Sequence, residues 1–150
     1  MHLRILALFI TALAIAAVAA GCGDDDTASL TKAEFVKQGD KICLEANKEK
    51  EVEYVAFIKD LEKAGKQLTQ GEEEELVRTI VVPAVEKQAE GLDDLGAPEG
   101  DEDKVDAIVV GLEEVAEEGE ENPVGSKTAS SPFAKTTQLA SEYGFEYCGR

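Results

Sequence analysis

Cys22, Cys43 and Cys148 carry the most reactive side chains in this 150-residue chain. A thiolate can take a lipid, pair into a disulfide or ligate a metal, and its spacing and neighbours decide which. No two of the three stand in a Cys-x-x-Cys spacing, and the one histidine, His2, lies in the N-terminal apolar segment. A redox pair or a zinc site therefore lacks its usual partners. Acid–base chemistry would have to come from the 32 Asp and Glu side chains. A carboxylate pair works only across a cleft, with one pKa raised by its surroundings, and acids on exposed helix faces do not supply that. Tyr54, Tyr143 and Tyr147 could line a pocket with Phe57 and Phe145, but aromatics this sparse are first the large side chains of a core. There is no Gly-x-Ser-x-Gly, no phosphate-binding glycine loop and no metal-ligand cluster. No catalytic residue, metal site or cofactor is expected.

Cys22 has a context of its own. Met1-His-Leu-Arg4 is a short basic start, and Ile5 to Ala20 follows with no charge and only Thr11 polar. Those sixteen residues are closer to a signal-peptide apolar run (~7–15 residues) than to a bilayer span (~20). The run ends in small residues, Val18-Ala19-Ala20-Gly21, directly before Cys22 and then Gly23-Asp24-Asp25-Asp26. Ala19-Ala20-Gly21-Cys22 resembles the lipobox of bacterial lipoprotein precursors. That resemblance implies loss of residues 1–21, a lipid (diacylglyceryl, palmitate-type) on Cys22 and a cell-membrane anchor on the extracytoplasmic face. An uncleaved membrane helix and an ordinary secretory signal are the alternatives. Residues 22–30 then read as an acidic tether, and 31–150 as the folded domain.

Export would place Cys43 and Cys148 in an oxidising compartment, where two remaining thiols pair. Their bridge would close a loop of roughly a hundred residues, which the chain-entropy account values at about 4–5 kcal/mol. It would also pin a segment near the chain end that otherwise frays.

The elements that must bring these two cysteines together read as helices. Leu30-Thr31 with Glu34 and Phe35 is a capping box with a hydrophobic staple. Phe35, Gly39, Ile42, Cys43 and Ala46 recur at helical spacing, and Tyr54, Phe57, Ile58, Leu61 and Ala64 resume it. The polar stretch Asn47–Glu51 leaves either one helix of ~35 residues or two helices bent there. Thr69 and Glu72 repeat the capping box before a broad apolar face from Leu76 to Leu92, interrupted by Pro83, which predicts a kink. Leu95-Gly-Ala-Pro-Glu-Gly100 is a turn. Val105, Ile108, Val109, Leu112, Val115 and Ala116 give the cleanest period. Ser131-Pro132 reads as a cap and first helical residue, and Phe133, Thr136, Thr137, Ala140, Tyr143 and Tyr147 can share one face. The expectation is an all-α antiparallel bundle of about four helices, closed by Cys43–Cys148 and preceded by a signal peptide.

Charge excludes one large class of function. At −17, the chain has no basic face with which to displace counterions from nucleic acid. The first helical region, 32–66, holds eight Lys and eight acids, which suits a central place among acidic neighbours. Residues 67–150 carry 6 basic and 21 acidic groups. The run Glu113–Glu121 could hold a cation or meet a basic partner, although charge runs mostly mark solvated faces.

Phe35-Val-Lys-Gln-Gly-Asp-Lys-Ile-Cys43, Leu95-Gly-Ala-Pro-Glu-Gly100 and Glu142-Tyr-Gly-Phe-Glu-Tyr-Cys148 together resemble small uncharacterised helical lipoproteins of high-GC Gram-positive bacteria. The resemblance implies location and architecture and brings no activity with it. The functional expectation is a lipid-anchored, non-catalytic module that docks a helix face on another envelope protein. The alternative is a carrier of a small ligand or cation, with the Pro83 kink opening a pocket. The sequence leaves the oligomeric state open.

Overall fold

A computed structural model describes residues 29–125 and 132–150. Residues 1–28, with the expected signal peptide, Cys22 and most of the tether, lie outside the described residues, as does the expected cap at Ser131. Every regular element described is helical: α1 (Lys32–Lys63), α2 (Gln70–Leu76), a π-helical turn (Val77–Val81), α3 (Val82–Leu95), α4 (Glu102–Glu121) and α5 (Pro132–Tyr143). α2, the π turn and α3 run on without a break, so the elements form four rods.

Local chemistry sets the boundaries. Thr31 accepts from the Glu34 backbone N–H while the Glu34 carboxylate accepts from Thr31 N at 3.0 Å. Thr69 and Glu72 repeat this reciprocal pair at the start of α2. Pro83 has no N–H to offer the carbonyl of Thr79, and its ring crowds that carbonyl. The chain accommodates it just upstream, where Val82 N–H reaches back five residues to Val77 O, closing a π turn. The interruption expected at Pro83 thus falls on the preceding turn.

The rods pack antiparallel. α1 meets α3 in descending register: Gly39 opposes Leu92, Ile42 opposes Gly91, Asn47 meets Gln88 and Glu49 meets Lys87. α3 meets α4 likewise, with Val82 against Gly119, and α4 meets α5 through Asp101–Tyr143 and Gly111–Thr136. Phe35, Leu92, Ile108, Leu112, Cys43 and Cys148 are among the largest fully buried side chains. Close approach has a steric requirement at Gly39, where a Cβ would lie 2.6 Å from both Leu92 and Phe145.

Two expectations about α1 are settled differently from one another. It is one continuous helix of 32 residues, unbroken at Asn47–Glu51. It is not central, because α3, with its broader apolar face, takes the place between α1 and α4. The stripe resumed at Tyr54 is not buried either. Phe57, Ile58 and Leu61 are half-buried, and Tyr54 and Ala64 are exposed. The cause is the partner: α3 and the π turn reach only to about Tyr54, and α2 offers four glutamates among its seven residues. Phe133 and Tyr147, expected to share one face with Thr136, Ala140 and Tyr143, are exposed, while those three are buried.

Candidate functional site

The two cysteines predicted to pair do so, with Cα atoms 5.0 Å apart. α1 places Cys43 on its buried stripe. α5 ends at Gly144, whose φ of +123° is backbone that favours glycine, and both Gly144 N and Phe145 N bond back to Ala140 O. The reversed chain then lies against α1. Glu146 N and Tyr147 N both donate to Asp40 Oδ1 at 2.9 Å, and Asn47 Nδ2 donates to Tyr147 O at 2.9 Å. Gln88 accepts from Gly149 N at 3.0 Å, and Lys50 Nζ donates to Arg150 O at 2.9 Å. Burial lowers the Lys50 pKa. Asp40 and Gln88 had no role in the sequence reading and Asn47 marked only the start of a polar stretch, since a lone polar residue on a helix carries no signal until its partner is known.

Tyr143 closes the other end of this region. Its ring packs edge-on to Phe35 at 6.1 Å and tilted against Phe145 at 5.5 Å, with Lys32 Nζ 4.2 Å from its centroid. The hydroxyl donates to Asp101 Oδ2 at 3.1 Å. Burial, reinforced by that bond, pushes the phenol up to about 12. Tyr143 and Phe145 are thus core, as the sparse aromatics suggested, while Tyr54 and Tyr147 reach solvent.

The acidic run on α4 divides. Glu113, Glu117 and Glu120 face Glu86 and Glu90 of α3 across a groove of about 400 Å³ floored by Ala89 and Ala116. Arg78 pairs with Glu120, and Glu118 accepts from Asn122. Among the described residues no three acidic, cysteine or histidine side chains converge as a metal site. Carboxylates with displaced pKa values are displaced downward: Glu34 by the Thr31 hydroxyl, Asp101 by the Lys104 ammonium, and Glu102 by backbone N–H groups. A general acid needs the opposite shift.

The remaining candidate is apolar. Val52 is 70% exposed on α1, with Val55 and Tyr54 above 40% and Leu68 in the following turn at 48%. Val52, Val55 and Ala56 lie on one outward face, with Glu51 at one end and Lys59 and Lys63 at the other. Around the helix, Tyr54 and Phe133 flank a cleft of about 400 Å³ over Leu76, Ile80 and Val81, so the π turn forms its floor. The sequence reading found the Tyr54 side of this segment and passed over Val52 and Val55. The sign it had available was a second apolar pair at i, i+3, out of phase with the main stripe.

No described helix is long and apolar enough to cross a membrane. No family model, curated protein or solved structure matches this chain.

Proposed function

We propose that the protein is a non-catalytic, lipid-anchored interaction module on the extracytoplasmic face of the cell membrane, held through Cys22. The observation that carries the reading is the far half of α1, where Val52, Tyr54 and Val55 stand in solvent. Exposed apolar side chains grouped on one element mark an interaction surface more often than chance scatter does. The anchor rests on the Ala19-Ala20-Gly21-Cys22 motif and the apolar segment before it. From Lys32 to Lys63 α1 is about 47 Å long at 1.5 Å per residue, so the exposed face lies well away from the tether.

A photo-reactive side chain at Val52 tests this on intact cells. A discrete cross-linked adduct is expected, whereas the same group at Val110, exposed on α4, gives none. Equal, diffuse labelling from both positions would overturn the reading. Mass spectrometry of the chain from its membrane should give residues 22–150 plus a diacylglyceryl group, less two hydrogens.

The cleft beneath Tyr54 and Phe133 favours a second reading, a carrier for a small apolar ligand. It requires saturable thermal stabilisation by such a compound. Flat melting curves across a panel of apolar ligands would remove it.

A further inference from the structure

We infer that the outward face of α1 is built to pair with a second copy of itself, antiparallel, with Val55 on the two-fold axis. The inference rests on the reading of this face as the docking surface and names its partner. Relative to Val55, helical geometry places Glu51 and Lys59 at about 40° on either side and Lys48 and Glu62 at about 20°. All four side chains are exposed, and none is in an ion pair within the chain among the described residues.

Turning one helix end over end about Val55 sets each residue opposite the one equally far on the other side. Glu51 then faces Lys59 and Lys48 faces Glu62, each contact occurring twice about the central Val55 pair. A two-fold interface requires such self-complementarity, since residue i meets j and j meets i. Opposite charges here flank an apolar centre in both directions, which is the arrangement that fixes register between helices.

The rest of the molecule favours the same approach. Residues 67–150 carry 21 acids against 6 bases, whereas 32–66 balance, so α1 is the side on which two copies repel least. The seam from Lys48 to Glu62 is about 21 Å long. At about one helix diameter (~10 Å) wide it covers roughly 200 Å², short of the roughly 800 Å² per partner of a stable complex, so pairing depends on local concentration.

The test is a charge exchange on the mature chain in detergent, read by native mass spectrometry over a concentration series. Wild type is expected to shift from monomer to dimer as concentration rises. Glu51→Lys alone, or Lys59→Glu alone, sets like charges opposite each other twice and weakens the dimer roughly tenfold. Mixing the two single variants restores it as a heterodimer, and the double variant restores it within one chain. Both variants lie on an exposed helix face, and an unchanged melting temperature shows that they fold. A chain that is monomeric throughout, or a dimer indifferent to both substitutions, overturns the self-pairing. In that case a Val52 adduct to a different protein leaves the interaction-module reading standing, and loss of both results removes both.

Discussion

The side-chain oxygen of Gln88, in the middle of α3, accepts a hydrogen bond from Gly149 N at 3.0 Å, across 61 residues of sequence. Gln88 is 1% exposed, and its amide nitrogen donates to Asn47 at 3.3 Å. One buried amide therefore ties the C-terminal segment to α3 and to α1 beside the disulfide. Gln88→Leu keeps the volume and deletes both bonds, leaving Gly149 N–H buried without its acceptor. The expected cost is about 1–3 kcal/mol, measured by urea denaturation. A variant as stable as wild type would mean that water or a shift of the tail replaces the acceptor.

This amide shows what sequence reading can and cannot reach. The helices were legible because capping boxes at Thr31 and Thr69 and the apolar period of α4 are local signals. The Cys43–Cys148 pair was legible because the lipobox resemblance set Cys22 aside, and the two remaining thiols lacked the spacing and neighbours of a redox or metal site. Gln88 shares a face with Val81, Val85 and Leu92, yet on sequence it reads only as a gap in the stripe. Its partner is a backbone N–H that no side-chain pattern encodes. The exposed half of α1 was misread for a related reason. Its period was real, but burial depends on the length and apolarity of the element opposite, and α2 is short and acidic.

The disulfide joins α1 to a segment that has no helix of its own, and both sulfur-bearing residues are buried. Closing a loop of 105 residues corresponds to about 4–5 kcal/mol of lost denatured-state freedom. Replacing both cysteines with serine should lower the melting temperature by many degrees. Because neither sulfur is open to solvent, a thiol reductant should act on the native protein only as fast as it unfolds. Rapid labelling of both thiols after reductant alone, with no denaturant, would contradict that burial.

Gly39 and Gly71 offer a matched pair of helical glycines. A methyl at Gly39 would lie 2.6 Å from the side chains of Leu92 and Phe145, whereas at Gly71 the nearest atom is the Thr69 hydroxyl at 3.9 Å. Gly39→Ala should therefore cost about 1–3 kcal/mol, since two core side chains must leave their positions. Gly71→Ala should gain up to about 0.5 kcal/mol through reduced freedom of the unfolded chain. Thermal unfolding of the two variants side by side checks both signs. Equal effects would show that α1 can move off α3 at little cost.

Tyr143 gives the fold an alkaline limit. Its phenol is held up at about 12, chiefly by burial and then by the hydroxyl's bond to Asp101, against about 10 in the unfolded chain. A group that binds its proton more tightly when folded stabilises the fold fully below the unfolded value. That contribution fades as pH rises from about 10 and is gone above 12. Two units correspond to at most about 2–3 kcal/mol, and partial solvent access at the hydroxyl reduces it. Lysines also titrate in this range, so the measurement is the difference between wild type and Tyr143→Phe. Wild type should be the more stable by a constant margin from pH 7 to 9.5, because the variant lacks the bond to Asp101. Between pH 10 and 12 the margin should shrink and then reverse, since an ionised phenolate beside Asp101 is worse placed than a phenyl ring. A margin unchanged to pH 12 would mean that the hydroxyl reaches solvent freely.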